Sequence, residues 1–133
     1  MALNYTEKVM DHFLHPRNVG EIENPDGYAE VGSPVCGDML SFFIKVGKND
    51  KGEDVINDIK YLSFGCASNI ATASMLTEEV IGKTLEDAKK LKFKQIVDDL
   101  GGLPQQKFHC SVLAVEGLQK AIEDYENKNK KSW

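Results

Sequence analysis

The sequence predicts an α+β domain in which helices cover one face of a small antiparallel sheet. Strand-like patterns lie in the first half of the chain, and helical patterns dominate the second half. The length of 133 residues allows one modest hydrophobic core and is too short for two ordinary domains. We therefore expect residues 1–133 to form a single domain.

A first helix is predicted over residues 5–14, because apolar residues recur there at near-helical spacing. Pro16 ends this helix, since the residue before a proline is disfavoured in helical backbone. His12 and His15 lie near the end of the helix, and we expect both to be surface residues. A loop rich in Asn, Pro and Gly follows.

Strands are predicted over residues 27–33, 39–46 and 55–64. The pattern is clearest in the second strand, where Leu40, Phe42 and Ile44 share one face. A polar hairpin loop with glycine at both ends, residues 47–52, connects it to the third strand. The third strand alternates imperfectly, so we expect one face in the core and the other partly covered by helices.

Four helical segments are predicted in the second half. Small residues follow Cys66 and begin a helix for which Gly82 is the C-terminal stop. Thr84 and the acidic residues after it resemble a capping box, which begins a short helix. The helix after Cys66 is predicted over residues 68–81. The last two predicted helices cover residues 93–100 and about 111–125.

Composition excludes several classes of protein. The net charge of −5 argues against a nucleic-acid-binding surface. No apolar run is long enough to span a bilayer, and the N-terminal residues lack the pattern of a signal peptide. The odd number of three cysteines indicates reduced thiols in a reducing compartment. We expect a cytoplasmic protein, or a mitochondrial matrix protein if a transit peptide has been removed.

The three cysteines all lie at predicted corners of the chain, next to glycine or histidine: Cys36, Cys66 and Cys110. Cys66 follows Gly65 between a strand and a helix, where the positive end of the helix dipole favours a thiolate. Taken alone, Cys66 could equally be a small buried apolar residue at a tight corner.

Two further side chains accompany the thiols. Asp38 is two residues after Cys36, so both point to the same side of an extended segment, although a turn cysteine beside a strand-capping aspartate would have the same sequence. His109 precedes Cys110 and could take its proton or act as a ligand, although such a dipeptide also occurs by chance. Together, these five residues form a plausible metal or iron–sulfur ligand set.

The motifs around these residues resemble the IscU/NifU-type iron–sulfur cluster assembly scaffolds. The resemblance rests on Pro34 to Asp38, on Phe64 to Cys66 with the small-residue helix, and on His109 to Ser111. His15 to Gly20 also resembles the N-terminal loop of the family. Each motif is weak alone, but all of them occur in order and at family spacing over nearly the whole chain.

This resemblance implies a three-stranded antiparallel sheet with helices packed on it. It also implies a scaffold or carrier, not an enzyme, that builds a transient [2Fe-2S] cluster from Fe²⁺ and desulfurase-derived sulfur. The implied ligands are Cys36, Asp38, Cys66, His109 and Cys110. The same residues would hold Zn²⁺ in the isolated protein.

The resemblance further implies roles and partners. Cys110 corresponds to the persulfide acceptor, and Asp38 to the ligand that keeps the cluster labile. The expected partners are a cysteine desulfurase, ferredoxin or another reductant, recipient apo-proteins and an Hsp70-type chaperone pair. The chaperone motif is atypical, because residues Leu103 to Lys107 depart from the family pattern.

Two alternatives stay open. One is a zinc-bound sulfur acceptor of the SufU type, which serves a cysteine desulfurase; His109 and the short connection before it favour the scaffold branch. The other is a structural zinc domain, which would unfold when the metal is removed. The predicted core argues against that dependence; it consists of Leu40, Phe42, Ile44, Leu118 and Ile122.

Overall fold

The computed structural model describes residues 5–33, 38–104 and 108–130, and the side chains of Ser33, His109, Cys110, Asn129 and Lys130 fall outside that description. The elements are α1 Glu7–Leu14, β1 Gly27–Ser33, β2 Asp38–Lys48, β3 Asp54–Phe64, α2 Ala67–Val80, α3 Leu85–Lys89, α4 Phe93–Asp99 and α5 Phe108–Lys130. The strands form one antiparallel sheet in the order β1-β2-β3. The predicted α+β fold class is confirmed.

A β-bulge explains the imperfect alternation of β3. Asn57 falls between the residues that pair with Lys45 and Val46, so β3 carries one extra residue there. The bulge shifts the two-residue period by one position. Ile56 and Ile59, three residues apart, are therefore both fully buried on the core face.

The second face of the sheet is open among the described residues. Phe64 is 79% exposed there, and Met39 and Leu62 are exposed beside it. Tyr28 and Phe43 pack against each other on the same face, with ring centroids 5.0 Å apart. The prediction that helices partly cover this face is wrong, because α2 and α5 both pack against the core face.

Helix α5 runs antiparallel to β1 along the core face. A Cβ at Gly27 would lie 2.3 Å from the carbonyl oxygen of Ala121, and one at Gly117 would lie 3.0 Å from Val31. Contacts therefore move towards the N-terminus of α5 as β1 approaches Ser33. The helix is longer at both ends than the predicted range 111–125.

Helix α2 is buried on nearly all sides, which its small residues allow. Thr72 donates to the Asn69 carbonyl at 3.1 Å, and Thr77 donates to the Ser74 carbonyl at 2.7 Å. These hydroxyls satisfy themselves within the helix, so they can lie in the core. The predicted range 68–81 is confirmed to within one residue, and Gly82 follows with a positive φ of 87°.

Helix α1 begins at a Thr6 cap, whose hydroxyl accepts from the Val9 N–H at 3.1 Å. His15 is exposed as predicted, but His12 is only 5% exposed, so its expected surface position is wrong. His12 lies on the side of α1 that packs against α2, where its Nδ1 is 2.7 Å from the Ser74 hydroxyl.

The core is one cluster of buried side chains between the sheet and the helices. The predicted core residues are fully buried: Leu40, Phe42, Ile44, Leu118 and Ile122. None of the described helices has both the length and the apolar content needed to cross a bilayer.

Candidate functional site

Strand pairing gathers three chain segments at one end of the sheet. Ser33, the last residue of β1, pairs with Asp38, the first residue of β2. Met39 then pairs with Phe64, the last residue of β3. The beginning of β2 therefore lies directly beside the corner that leads from β3 into α2.

Cys66 is the N-cap of α2 at this corner. Its backbone is extended, with φ −80° and ψ 176°, and its side chain makes no capping hydrogen bond. The residue is partly exposed. The first turn of α5, which contains the backbone of His109 and Cys110, points towards the same end of the sheet because α5 runs antiparallel to β1.

Gly65 is where the carboxylate and the cysteine corner meet. A Cβ at Gly65 would lie 2.5 Å from Oδ1 of Asp38 and 2.4 Å from Nδ2 of Asn69. Neither distance leaves room for a methyl group. The absence of a side chain at Gly65 therefore lets the Asp38 carboxylate reach the residue that precedes Cys66.

The structure thus brings together two of the five predicted ligands, Asp38 and Cys66. Cys36 lies outside the described residues, as do the side chains of His109 and Cys110. Within the part of the chain that is described, no three His, Cys, Asp or Glu side chains form a metal-binding group. Of the atypical chaperone motif, residues 105–107 also lie outside the description.

The two placed groups differ in chemistry and in accessibility. Asp38 is buried, with 6% of its surface exposed, whereas Cys66 is partly open to solvent. A cysteine thiolate is a soft ligand that suits iron–sulfur clusters, copper and zinc, whereas a carboxylate oxygen is a harder ligand. This end of the sheet therefore carries one hard and one soft donor, Asp38 at the start of β2 and Cys66 at the start of α2.

Asn69 is a site neighbour that the sequence patterns did not identify. It is fully buried, its Nδ2 is 3.4 Å from the Met39 carbonyl, and its Oδ1 has no hydrogen-bond partner within the described part of the chain. Asn69 thereby joins the first turn of α2 to the start of β2, next to Asp38. The sequence carried one signal for this role, which is an amide side chain in the first turn of a helix otherwise rich in small residues.

A second polar cluster joins α1 to α2. The Ser74 hydroxyl accepts from the Arg17 N–H at 3.0 Å and lies 2.7 Å from Nδ1 of His12. Nε2 of His12 is 3.5 Å from the Glu78 carboxylate. Burial and the nearby Arg17 lower the pKa of His12, whereas Glu78 raises it less. His12 is therefore held neutral among these groups.

The chain matches one family model and several curated proteins. A family model described as the NifU-like N terminal domain matches residues 4–132. Iron-sulfur cluster assembly scaffold protein IscU 1 of Archaeoglobus fulgidus is 53% identical over 127 residues, which are 96% of this chain and 80% of that protein. IscU of Escherichia coli K12 is 45% identical over 127 residues, which are 93% of this chain and 95% of that protein.

Solved structures support the fold. The N-terminal part of a nitrogen-fixing NifU-like protein from Brucella abortus has a TM-score of 0.67 at 20% identity, covering 92% of this chain and 94% of that one. FiSufU from Fervidobacterium islandicum AW-1 has a TM-score of 0.63 at 23% identity, covering 89% of this chain and 96% of that one.

The family match spans nearly all of the described chain and includes the corner at which the Asp38 carboxylate adjoins Gly65, the residue before Cys66. The Archaeoglobus fulgidus and Escherichia coli relatives, and a protein of Aquifex aeolicus that is 50% identical over 125 residues, are named IscU scaffold proteins. This chain belongs to the NifU-like N-terminal domain family, together with the IscU proteins.

Proposed function

We propose that this protein is an iron–sulfur cluster assembly scaffold, which builds a [2Fe-2S] cluster and passes it to apo-proteins. The cluster is cargo, so the protein acts as a carrier without turnover of its own. The observation that carries the proposal is the contact region at Gly65, where the Asp38 carboxylate adjoins the corner bearing Cys66. Membership of the IscU-containing family supports it.

The proposed ligands are the thiolates of Cys36, Cys66 and Cys110, completed by Asp38 or His109. Stable iron–sulfur clusters are commonly held by four cysteines. A hard carboxylate oxygen binds this soft centre less firmly than a fourth thiolate would. The mixed ligand set therefore favours release of the cluster, which a scaffold needs.

Cys110 is the proposed sulfur acceptor, which takes a sulfane sulfur from a cysteine desulfurase and carries it as a persulfide. Each sulfane sulfur needs two electrons to become sulfide. Two ferrous ions supply two of the four electrons required for a cluster with two ferric ions. The remaining two must come from a reductant, and ferredoxin fits this requirement.

Zinc is the expected competitor for the same residues, because cysteine, histidine and aspartate are its usual protein ligands. We expect Zn²⁺ in the isolated protein and its displacement during assembly. An Hsp70-type chaperone pair would assist transfer, although Gln105 and Gln106 make its recognition motif atypical.

The first experiment is anaerobic incubation with ferrous iron, cysteine, a cysteine desulfurase and reduced ferredoxin, followed by visible absorption. We expect sulfide-to-iron charge-transfer bands in the native protein and their loss in Cys66→Ser. The matched control adds Lys120→Cys to Cys66→Ser, which returns a thiol to the chain at an exposed position of α5. That double variant should stay colourless, because position rather than thiol number matters.

Two outcomes would contradict the scaffold function. Equal colour in native protein and in Cys66→Ser would exclude this corner as the assembly site. A colourless native protein with a persulfide on Cys110, detected by mass spectrometry, would instead support the zinc-bound sulfur acceptor of the SufU type.

A further inference from the structure

A groove lies between the α3–α4 connection and α5, and neither Asp38 nor Cys66 is among its described lining residues. Its volume is about 650 Å³, and it is open to solvent along one side. Of the eight described residues that line it, four are lysines and none is acidic, although acidic residues outnumber basic ones in the chain. The lining residues of this lysine groove are Lys89, Lys90, Leu91, Lys92, Phe93, Lys94, Val115 and Gln119.

The charges of the lysine groove are only partly neutralised. Lys89 pairs with Glu126, and Lys90 lies 3.5 Å from Glu86. Lys92 and Lys94 have no ion-pair partner among the described residues. Two uncompensated cations therefore lie next to each other on a protein whose net charge is −5.

The floor of the lysine groove is apolar. Leu91 and Val115 are buried beneath it, and Phe93 remains 39% exposed between Lys92 and Lys94. The aromatic ring thus adds apolar surface to a groove that Lys92 and Lys94 also line. This combination suits a chain segment that carries an apolar side chain flanked by carboxylates.

We propose that the lysine groove binds an acidic segment of a partner protein, with an apolar side chain placed against Phe93 and carboxylates on Lys92 and Lys94. Charge complementarity with a cationic groove on an anionic protein selects this occupant. A nucleic acid would be repelled by the rest of the surface, and a bilayer cannot enter a concave groove. Val115 follows Cys110 by about 7.5 Å of helix rise, so a docked partner would lie near the proposed cluster site.

The test is a binding titration of the full-length protein without iron. The probe is a fluorescein-labelled peptide with one central phenylalanine and otherwise aspartate, glutamate and serine, followed by fluorescence anisotropy. We expect binding at about 50 mM salt that weakens as salt rises. Lys92→Glu with Lys94→Glu should weaken it at least about tenfold, and Phe93→Ala should weaken it severalfold, whereas Phe93→Leu should retain it.

The matched control reverses the same number of charges elsewhere. Lys120→Glu with Lys128→Glu alters two lysines of α5 that pair with Glu116 and Asp124. An equal loss of binding in this control would overturn the proposal. So would no binding to native protein, or tighter binding of an RNA oligonucleotide or of anionic vesicles. Because no iron is present, these outcomes are independent of the cluster assembly assay.

Discussion

Oδ1 of Asp38 lies 2.5 Å from the place where a side chain at Gly65 would begin. Asp38 is the first residue of β2, and Gly65 follows the last residue of β3. The pairing of Met39 with Phe64 brings the two residues together. The carboxylate therefore depends on a glycine for its position. Any side chain at Gly65 would push against the group that we propose keeps the cluster labile.

Gly65→Ala should destabilise the protein and displace Asp38 or Asn69, because both lie within 2.5 Å of the new methyl group. We expect a loss of about 1–3 kcal/mol in the free energy of unfolding, as for other overpacked sites. Urea denaturation at pH 7 measures it. Gly47→Ala is the matched control, since its nearest neighbour would be 3.3 Å away. Equal losses in the two variants would contradict the crowding at Gly65.

Asp38→Ala should trap the cluster, because it removes the hard oxygen donor and leaves only the thiolates and His109. We expect transfer to an apo-recipient to slow by about tenfold or more, as is common when a metal site loses a tuning group. The half-life of the visible bands during transfer measures this.

Asp58→Ala is the control for the loss of a strand carboxylate. Asp58 is partly exposed and lies 4.0 Å from Lys60, outside the sheet end that carries the site. Its removal should leave the transfer rate unchanged. If Asp38→Ala released its cluster as fast as native protein, the proposed role of Asp38 would be wrong.

Local patterns were sufficient for much of the fold. The buried face of β2, with Leu40, Phe42 and Ile44, follows from a two-residue period. The Thr84 cap of α3 is confirmed by its 3.1 Å hydrogen bond from the Asp87 N–H. Both features depend on residues that are close in sequence, so the sequence alone can predict them.

Long-range packing decided the features that were missed. The bulge at Asn57 depends on how β2 and β3 align, and the burial of His12 depends on which side of α1 meets α2. The motifs were sufficient to predict the five ligand residues as a set. They did not predict that Asp38 lies beside Gly65, because that adjacency depends on the register between β2 and β3.

His12 should make the protein less stable as the pH falls below its ordinary pKa of 6.5. Burial lowers the pKa of His12 in the folded state, so the unfolded chain takes up the proton first. Stability is then lost as the pH drops from 6.5 towards the lowered pKa, by at most about 1.4 kcal/mol per pH unit. Urea midpoints between about pH 7.5 and 5.5 measure the slope.

His12→Gln should remove this part of the slope, although it also lowers stability at every pH by disturbing the Ser74 contact. His15→Gln is the matched control, because His15 is an exposed histidine three residues further on. Its slope should equal that of the native protein. An unchanged slope in His12→Gln would exclude His12 as the titrating group.

Glu79 should have the opposite effect to His12 and make the protein less stable as the pH rises. Burial and the neighbouring Asp99 carboxyl together raise the pKa of Glu79 to about 8, while Lys83 and Gln95 act against them. Oε2 of Glu79 is buried and has no donor among the residues that the structure describes. A proton on Glu79, shared with Asp99, would supply the missing hydrogen bond. The pair joins α2 to the end of α4.

Because the folded pKa of Glu79 lies above its ordinary value of 4.5, the folded state retains a proton that the unfolded chain loses. Stability is therefore lost as the pH rises from 4.5 through about 8. Glu79→Gln keeps a neutral donor beside Asp99 and does not titrate. It should be more stable than native protein at about pH 8.5, by at least about 1 kcal/mol, and close to it at about pH 5.

Glu123→Gln is the matched control, because Glu123 is an exposed carboxylate on α5. It should leave the pH dependence of the urea midpoint unchanged. A constant difference between Glu79→Gln and native protein at both pH values would mean that Glu79 is already ionised in the folded state. In that case the Glu79 carboxylate would accept a hydrogen bond from Gln95 and face Lys83, and it would share no proton with Asp99. The contact between α2 and α4 would then depend on the apolar residues around Glu79.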